Sequence, residues 1–166
     1  LGVPLVVHFR GSDLSAAGKL GVLQDRYRRL ITIAAGLICK SRPMARTLQE
    51  LGASPERILI SASGANAQLF HGGDPGGAAP VCLAVGRFVA KKGPLHTIRA
   101  FALQPHGTLL MVGEGPLLSE AKALVDRLEL ADRVRFLGVR SQSDVAALMR
   151  GVRLCVQHSL VAADGD

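Results

Sequence analysis

Several residue types are scarce in this 166-residue sequence, and each scarcity argues against a class of protein. Trp is absent and aromatic residues make up 4% of the chain, which disfavours nucleic-acid binding by base stacking. The three cysteines, Cys39, Cys82 and Cys155, match neither a zinc-site spacing nor a disulfide framework. All three lie in apolar stretches, so we expect buried free thiols in a reducing compartment.

Long apolar runs are also lacking. The longest, residues 30–39, is too short to span a bilayer, which takes about 20 residues. The first residues do not have the charged start of a signal peptide. We therefore expect a cytoplasmic protein, either soluble or peripheral to the inner membrane. The sequence starts without Met inside a strand-like run, which indicates an internal fragment.

Basic residues are in excess, with a net charge of +7 at pH 7 and a pI of about 10.0. This balance favours anionic partners such as phosphates, nucleic acid or an acidic membrane surface, without choosing among them. A solvated basic face explains it equally well. The length and a hydrophobic fraction of 48% are enough for a sizeable core.

The first 70 residues alternate between strand and helix patterns. Strands are predicted at residues 3–9, 36–39 and 57–61, and helices at residues 19–35 and 43–51. The strand at residues 3–9 is expected to be buried. The polar face of the first helix carries Asp25, Arg26, Arg28 and Arg29.

Residues 71–79 are rich in Gly and Pro and have no periodicity, so we interpret them as a linker between residues 1–70 and residues 80–166. Beyond it, strands are predicted to start near Val81, Thr108, Val134 and Val152, and the last of them is predicted to run to Gln157. Helices are predicted at residues 95–103, 117–128 and 144–149. This alternation indicates βαβ units and an α/β fold with a parallel sheet. Such sheets bind ligands at the carboxyl ends of their strands.

The first of these strand ends carries a cluster of cations. Gly86 lets the backbone turn or a ligand approach closely, and Arg87, Lys91 and Lys92 follow before Pro94 opens a helix. Arg offers a forked contact and Lys a point charge, beside a helix amino end that itself attracts anions. The pattern is typical of a diphosphate-binding loop, although a basic surface loop would have the same residues.

The next strand ends in the Gly-rich residues 113–116, which resemble part of a dinucleotide fingerprint. The third Gly of that fingerprint is missing, because Leu118 stands in its place, and this argues against a nicotinamide-binding protein. A tight turn with Pro116 at the start of a helix explains most of the motif. Glu114 is a candidate polar contact to a nucleotide.

The third strand is followed by residues 138–144. Ser141 or Ser143 is expected to cap the next helix. The backbone of Gly138, Val139 and Arg140 is a candidate contact to a nucleotide base.

Other chemical groups give weaker signals. Arg10 and Asp13 either form a structural turn or face a cleft between two domains, and His8 precedes them on the same strand end. His158 follows another strand end and could also reach a cleft. Asp164 and Asp166 resemble a metal-binding D-x-D pair, yet two ligands around a Gly are more often a turn, so we predict no metal site.

Taken together, the sequence resembles glycosyltransferase family 4, the retaining group with the GT-B fold. The segments that carry the resemblance follow in family order at fitting separations: residues 4–13, 39–52, 58–60, 63–70, 86–93, 113–116 and 134–138. The most specific is 86–93. Residues 158–166 resemble members that build bacterial exopolysaccharides.

The resemblance implies two Rossmann-like domains, of which the second binds a UDP-, GDP- or ADP-sugar donor. Arg87 and Lys92, beside Gly86, match the family's diphosphate-binding pair and would stabilise charge on the leaving nucleotide without a metal or other cofactor. Residues 138–140 would lie near the base. The sugar would pass with retention to a glycan or lipid-linked acceptor. Independently of the resemblance, Arg26, Arg28 and Arg29 suit either contact with an anionic membrane or a solvated helix face. No nucleic-acid partner is expected.

Three departures from the family pattern matter. Arg10 stands where the family usually has a His that contacts the donor sugar, so Arg10 or the nearby His8 is the candidate catalytic group. The family's Asn-Gly-Val-Asp turn is altered to residues 63–66, with Gly64 as a candidate cleft residue. The family's E-x7-E motif would fall beyond Asp166, so we expect the 166-residue piece alone to be inactive.

Other functions remain open from the sequence alone. A related nucleotide-sugar epimerase would share the fold and the diphosphate contacts, but would need acid and base carboxylates that the sequence does not locate. A non-catalytic module that binds nucleotides or nucleic acid is the alternative from another class, and weak, salt-sensitive binding would favour it.

Overall fold

The computed structural model of the protein describes residues 2–15, 17–157 and 159–160, and it divides the chain into two compact units. The first unit extends to Gly64 and the second is Ala65–Leu160. Both are α/β units with parallel sheets, as the sequence predicts.

The first unit has a three-stranded sheet in the order β1-β2-β3. Its strands are β1 (Val6–His8), β2 (Gly36–Cys39) and β3 (Ile58–Ile60). Its helices are α1 (Ser12–Ser15), α2 (Ala17–Ile33) and α3 (Arg42–Glu50), and a 3-10 turn covers Pro55–Arg57. The sequence pattern therefore located the strands and the two longer helices, but treated the start of α1 as a loop.

Helix α3 begins and ends at residues that the sequence makes recognisable. The Ser41 hydroxyl accepts a hydrogen bond from the amide of Met44 at 3.4 Å, and Pro43 occupies the first turn. The helix stops before Gly52, which has a φ of +100°, a conformation that favours glycine. These local signals explain why its bounds could be predicted closely.

The core of the first unit includes Phe9, Ile31, Leu37 and Leu48, all nearly inaccessible to solvent. The prediction of a buried strand at residues 3–9 is wrong in extent and in burial. Only Val6–His8 is a strand, and the Val6 side chain is 57% exposed. The physical reason is its place in the fold, because β1 lies at the edge of the described sheet and pairs with β2 alone.

The second unit has a four-stranded parallel sheet in the order β6-β5-β4-β7. Its strands are β4 (Val81–Val85), β5 (Thr108–Val112), β6 (Val134–Gly138) and β7 (Leu154–Cys155). Its helices are α4 (Pro94–Ala102), α5 (Leu118–Arg127) and α6 (Gln142–Gly151), and a 3-10 turn covers Ala90–Lys92. The central strands are β4 and β5. Their carboxyl ends therefore lie in the middle of the side of the sheet on which all four parallel strands end.

Helices cover both faces of this sheet. Successive side chains of a strand point to opposite faces, so each strand contributes to the packing on both. On one face, Leu109 packs with residues of α4 and α5 such as Ile98 and Leu124. On the other face, Leu83 and Val112 pack with residues of α6 and its end. The fold is thus a doubly covered parallel sheet.

The burial of the cysteines differs from the prediction. Cys39 is buried and Cys82 is half-buried, but Cys155 is exposed. Strand β7 is also shorter than the predicted strand that starts near Val152. Cys155 is exposed because β7 lies at the edge of the described sheet.

The segment predicted as a linker, residues 71–79, groups with the second unit. The guanidinium of Arg153 donates to the carbonyl oxygen of Ala78 at 2.7 Å, and that of Arg150 donates to the carbonyl oxygen of Leu69 at 3.2 Å. Arg153, which follows α6, therefore holds the end of this segment, and Arg150, in the last turn of α6, holds Leu69 just before the segment.

Within residues 2–15, 17–157 and 159–160, none of the helices combines the length and apolarity that a bilayer crossing requires.

Candidate functional site

The cations predicted to bind a diphosphate lie in the loop between β4 and α4. We call residues 86–93 the cation loop. In it Arg87 is exposed, Phe88 is buried, and a 3-10 turn over Ala90–Lys92 leads into Gly93. Gly93 has a φ of +53°, ends the 3-10 turn and precedes Pro94, the first residue of α4. The loop therefore leads directly to the amino end of a helix.

Arg87 and Lys92 line one small pocket of about 30 Å³ at the carboxyl end of β4, together with Gly86 and Pro94. A Cβ on Gly86 would lie 3.9 Å from Cγ of Lys92, so the aliphatic stem of this lysine is close to the Gly86 backbone. The structure thus brings Gly86, Arg87 and Lys92 together. Two cations and a helix amino end form a site that attracts an anion.

The second loop predicted to contact a nucleotide, residues 113–116, lies directly beside the first. We call it the glycine turn. The amide of Phe88 donates to the carbonyl oxygen of Glu114 at 2.8 Å, and the amide of Leu117 donates to the carbonyl oxygen of Phe88 at 3.0 Å. The Glu114 side chain is exposed. Its backbone therefore holds the cation loop, while a contact between its carboxylate and a nucleotide stays a prediction.

The third loop follows β6 and is joined to the glycine turn. The amide of Gly113 donates to the carbonyl oxygen of Gly138 at 2.8 Å, and Gly138 has a φ of +68°. Val139 and Arg140 are exposed, and the Arg140 guanidinium donates to the Val139 carbonyl oxygen at 3.3 Å. Loops from three adjacent strands therefore meet at one edge, where a Rossmann-like sheet binds ligands.

Ser141 is the residue that caps α6, one of the two serines predicted to do so. Its hydroxyl accepts from the amide of Asp144 at 3.1 Å, and the Asp144 carboxylate accepts from the amide of Ser141 at 3.2 Å. Hydrogen bonds from the Ser141 side chain and backbone lower the pKa of Asp144 below its ordinary value. The cap fixes where the third loop ends.

Two residues that the sequence did not single out as site residues also line the pocket of Arg87 and Lys92. Val156 and Gln157 follow β7, the strand paired with β4. Their position was obscured because the sequence pattern extends the strand through Gln157. A shorter strand, as in β7, would have placed both residues in a loop at the carboxyl edge of the sheet.

The remaining candidates belong to the first unit. His8 and Arg10 are exposed at the carboxyl end of β1. Asp13 forms a structural turn, because its carboxylate accepts from the amides of Arg10 at 2.9 Å and Gly11 at 2.6 Å. A Cβ on Gly64 would meet no atom within 4 Å, so close packing does not require glycine there. The cleft roles of Asp13 and Gly64 stay predictions.

The altered turn, residues 63–66, keeps a side-chain hydrogen bond at Asn66. The side-chain oxygen of Asn66 accepts a hydrogen bond from the amide of Gln68 at 3.0 Å. The backbone oxygen of Asn66 accepts one from the amide of Phe70 at 2.8 Å. Asn often stabilises turns in this way. The residue that stands at the family's Asp position therefore still organises the backbone.

Among residues 2–15, 17–157 and 159–160, no group of three His, Cys, Asp or Glu side chains is placed to hold a metal ion. The D-x-D pair Asp164 and Asp166, and also His158, lie outside the described residues.

Comparison with known proteins adds independent information. Residues 73–165 match the family model described as glycosyl transferases group 1. An uncharacterized glycosyltransferase of Bacillus subtilis, YqgM, is 33% identical, with 94% of this chain and 46% of the relative covered. The lipopolysaccharide core biosynthesis glycosyltransferase LpsD of Rhizobium meliloti is 36% identical, covering 61% of this chain and 31% of the relative. The chain thus spans about half, or less, of the length of these relatives.

Solved structures show the same fold. Anabaena Alr3699/HepE in complex with UDP and glucose has a TM-score of 0.74 at 23% identity, over 94% of this chain and 46% of that chain. Sucrose-phosphate synthase from Thermosynechococcus elongatus has a TM-score of 0.72 at 23% identity, over 92% and 44%. At these identities the comparison establishes the fold, which is that of GT-B glycosyltransferases.

Proposed function

Because the chain belongs to the glycosyl transferases group 1 family, we propose that it carries the donor-diphosphate site of a retaining glycosyltransferase of family 4. The enzyme transfers a sugar from a nucleotide-diphosphate sugar to a glycan or lipid-linked acceptor during polysaccharide synthesis. The observation that carries this proposal is the shared pocket of Arg87 and Lys92 at the carboxyl end of β4.

The chemistry of this pocket suits a leaving diphosphate. When the bond between sugar and diphosphate breaks, negative charge grows on the phosphate oxygen that leaves. The planar Arg87 guanidinium offers a forked set of donors, Lys92 adds a compact charge, and the amino end of α4 adds a partial positive charge. Fixed positive groups lower the barrier because they need no reorganisation as the charge develops. In this mechanism the two side chains supply the role for which other enzymes use a metal ion.

The donor we favour is a UDP-sugar. Related structures contain UDP and UDP-glucose, which are ligands of those proteins. In this chain residues 138–140 border the glycine turn, because the amide of Gly113 donates to the carbonyl oxygen of Gly138. We propose that their backbone contacts the base beside the diphosphate. GDP- and ADP-sugars are the alternatives that the titration below separates.

One residue of the first unit is proposed to contact the donor sugar. Arg10 is exposed at the carboxyl end of β1, and the Asp13 carboxylate fixes its backbone. We propose that the Arg10 guanidinium takes over the donor contact for which the family uses His. His8, exposed on the same strand, is the alternative.

A peripheral membrane contact through α2 completes the proposal. Val22, Arg26, Arg29 and Ile33 fall at four-, three- and four-residue steps, so they share one helix face. All four are exposed, with Val22 at 83% and Ile33 at 69%. Exposed apolar side chains interleaved with cations suit an anionic bilayer surface on the cytoplasmic side, where lipid-linked acceptors are used.

The test of the donor site is calorimetric titration of UDP, GDP and ADP, each without metal, into the intact protein. The wild type is compared with an Arg87→Ala/Lys92→Ala variant. Lys122→Ala, an exposed lysine of α5, is the control for loss of surface charge. We expect one nucleotide to bind, the double variant to lose at least about 100-fold in affinity, and the control to bind normally. Failure of all three nucleotides to bind the intact protein would overturn the proposal.

A further inference from the structure

The glycine turn leaves space for backbone atoms of the cation loop at two points. A Cβ on Gly113 would lie 2.0 Å from the carbonyl oxygen of Gly86, and a Cβ on Gly115 would lie 2.6 Å from that of Phe88. Real Cβ atoms essentially never approach a heavy atom within 3.0 Å. The two glycines also have φ values of +131° and +153°, which side chains disfavour. Any other residue at either position would displace the neighbouring loop.

The two carbonyl groups that fill this space belong to the residues on either side of Arg87. Hydrogen bonds hold the same two residues. The amide of Gly86 donates to Val112 at 3.0 Å, and Phe88 donates to Glu114 and accepts from Leu117. The Phe88 side chain, 2% exposed, anchors the loop in the core. The backbone on both sides of Arg87 is therefore held by the glycine turn and the two residues that flank it, Val112 and Leu117.

We propose that Gly113 and Gly115 are positioning residues for diphosphate binding, acting through the backbone of Gly86 and Phe88 to aim the Arg87 side chain. This inference rests on the proposed function of the cation loop. This role differs from that of the second glycine of a dinucleotide fingerprint, which lets the backbone approach the bound pyrophosphate. Here the close approach is between two protein loops.

Displacement of Arg87 should weaken the binding of a nucleoside diphosphate more than the binding of a monophosphate. Forked Arg contacts depend strongly on geometry, whereas a simple charge attraction changes little over a small shift. A nucleoside monophosphate offers one phosphate group fewer to the cations. Misplacing the loop should therefore reduce the preference for UDP over UMP, while general destabilisation of the fold should leave that preference unchanged in the folded molecules.

The experiment measures the affinities of UDP and UMP for the intact protein and for its Gly113→Ala and Gly115→Ala variants. Titrations are run well below the unfolding temperature of each variant, and circular dichroism verifies folding. Gly151→Ala is the matched control, because a Cβ there would meet no atom within 4 Å. We expect each test variant to lose about tenfold or more in affinity for UDP and about threefold or less in affinity for UMP. The control should keep the wild-type ratio of UDP affinity to UMP affinity.

The outcomes separate this inference from the function on which it rests. If wild-type protein prefers UDP over UMP and both variants keep that preference, the positioning role is wrong and the donor site stands. If GDP or ADP binds to the wild type in place of UDP, the same comparison is made with that nucleotide and its monophosphate. If none of the three diphosphates binds to the wild type, the proposed function and this inference both fail.

A second measurement needs no variant and covers the case in which the alanine variants do not fold. Hydrogen exchange of the wild-type intact protein is followed by mass spectrometry with and without UDP. If the two loops act as one unit, UDP should slow exchange in peptides covering residues 86–92 and 113–117 together. Protection confined to residues 86–92 would overturn the coupling.

Discussion

The rings of Phe88 and Phe136 lie 5.9 Å apart, centre to centre, at an angle of 49°. Phe88 belongs to the cation loop after β4, and Phe136 lies on β6, at the edge of the described sheet. The contact thus ties the residue next to Arg87 to the core of the second unit. Core packing and the geometry of the candidate site depend on the same side chain.

We expect Phe88→Ala to lower the free energy of unfolding by about 3–5 kcal/mol, because it removes a ring that is 2% exposed and leaves a cavity. Urea denaturation of the intact protein measures the change. Leu103→Ala is the control, since its side chain is 82% exposed and should change stability by about 0.5 kcal/mol or less. Similar, small effects of the two substitutions would show that Phe88 does not anchor the loop.

The cap of α6 should make a pH-dependent contribution to stability. Hydrogen bonds from Ser141 lower the pKa of Asp144 in the folded state. The contribution of the carboxylate is therefore present above its unfolded pKa of about 3.9 and is lost as pH falls through the lower folded value. We expect Asp144→Ala to lower the melting temperature at pH 7, and the difference from wild type to narrow below pH 4, about where the unfolded carboxyl titrates.

Asp132→Ala, an exposed aspartate in the second unit, controls for the loss of one negative charge. Its melting temperature should differ little from that of the wild type at neutral pH. If the melting temperatures of wild type and Asp144→Ala differ by the same amount at every pH measured, the ionised carboxylate has no role in the cap.

Arg10 is expected to contribute to sugar transfer. We predict that Arg10→Ala lowers kcat/KM of the intact enzyme for its donor by about 10- to 100-fold, the loss typical of one charge-assisted contact. Arg10→His, which restores the family residue, should keep more activity than Arg10→Ala. Steady-state kinetics with the nucleotide sugar identified by titration provide the measurement.

His8→Ala and Arg46→Ala complete that series. Arg46 is an exposed arginine of α3, and its loss should leave kcat/KM near the wild-type value. If His8→Ala greatly lowers kcat/KM while Arg10→Ala leaves it near the wild-type value, the contact with the donor sugar belongs to His8 and not to Arg10.

The exposed face of α2 should govern membrane association. We predict that Arg26→Glu/Arg29→Glu weakens binding of the intact protein to vesicles of phosphatidylserine and phosphatidylcholine by at least about tenfold, since each basic residue near an anionic surface contributes about 1 kcal/mol. Sedimentation with vesicles at several salt concentrations measures it. The wild-type binding should weaken as salt rises.

Lys122→Glu/Arg127→Glu makes the same charge change on α5 of the second unit and should bind vesicles like the wild type. If this control loses as much binding as the α2 variant, the overall charge of the protein is responsible and the assignment to α2 is wrong.

Local patterns in the sequence predicted much of this protein. The alternation of strand and helix periodicities indicated parallel sheets, and Ser41, Gly52 and Pro94 marked helix ends because caps and breakers act over a few residues. The cations of residues 86–93 could be read as a candidate site because they follow a strand and precede a helix. The match to glycosyl transferases group 1 shows the family of the chain, and the site at residues 86–93 stays a prediction.

Contacts between distant segments were decided only by the tertiary structure. In the sequence, Gly113 and Gly115 resemble an incomplete dinucleotide fingerprint. Only the fold shows that the absence of a side chain at each leaves room for the carbonyl groups of Gly86 and Phe88. Cys155 is exposed because its strand lies at an edge of the described sheet, which its apolar neighbours in sequence do not reveal. Periodicity reports which face of an element is apolar, but close approach and edge position depend on partners far along the chain.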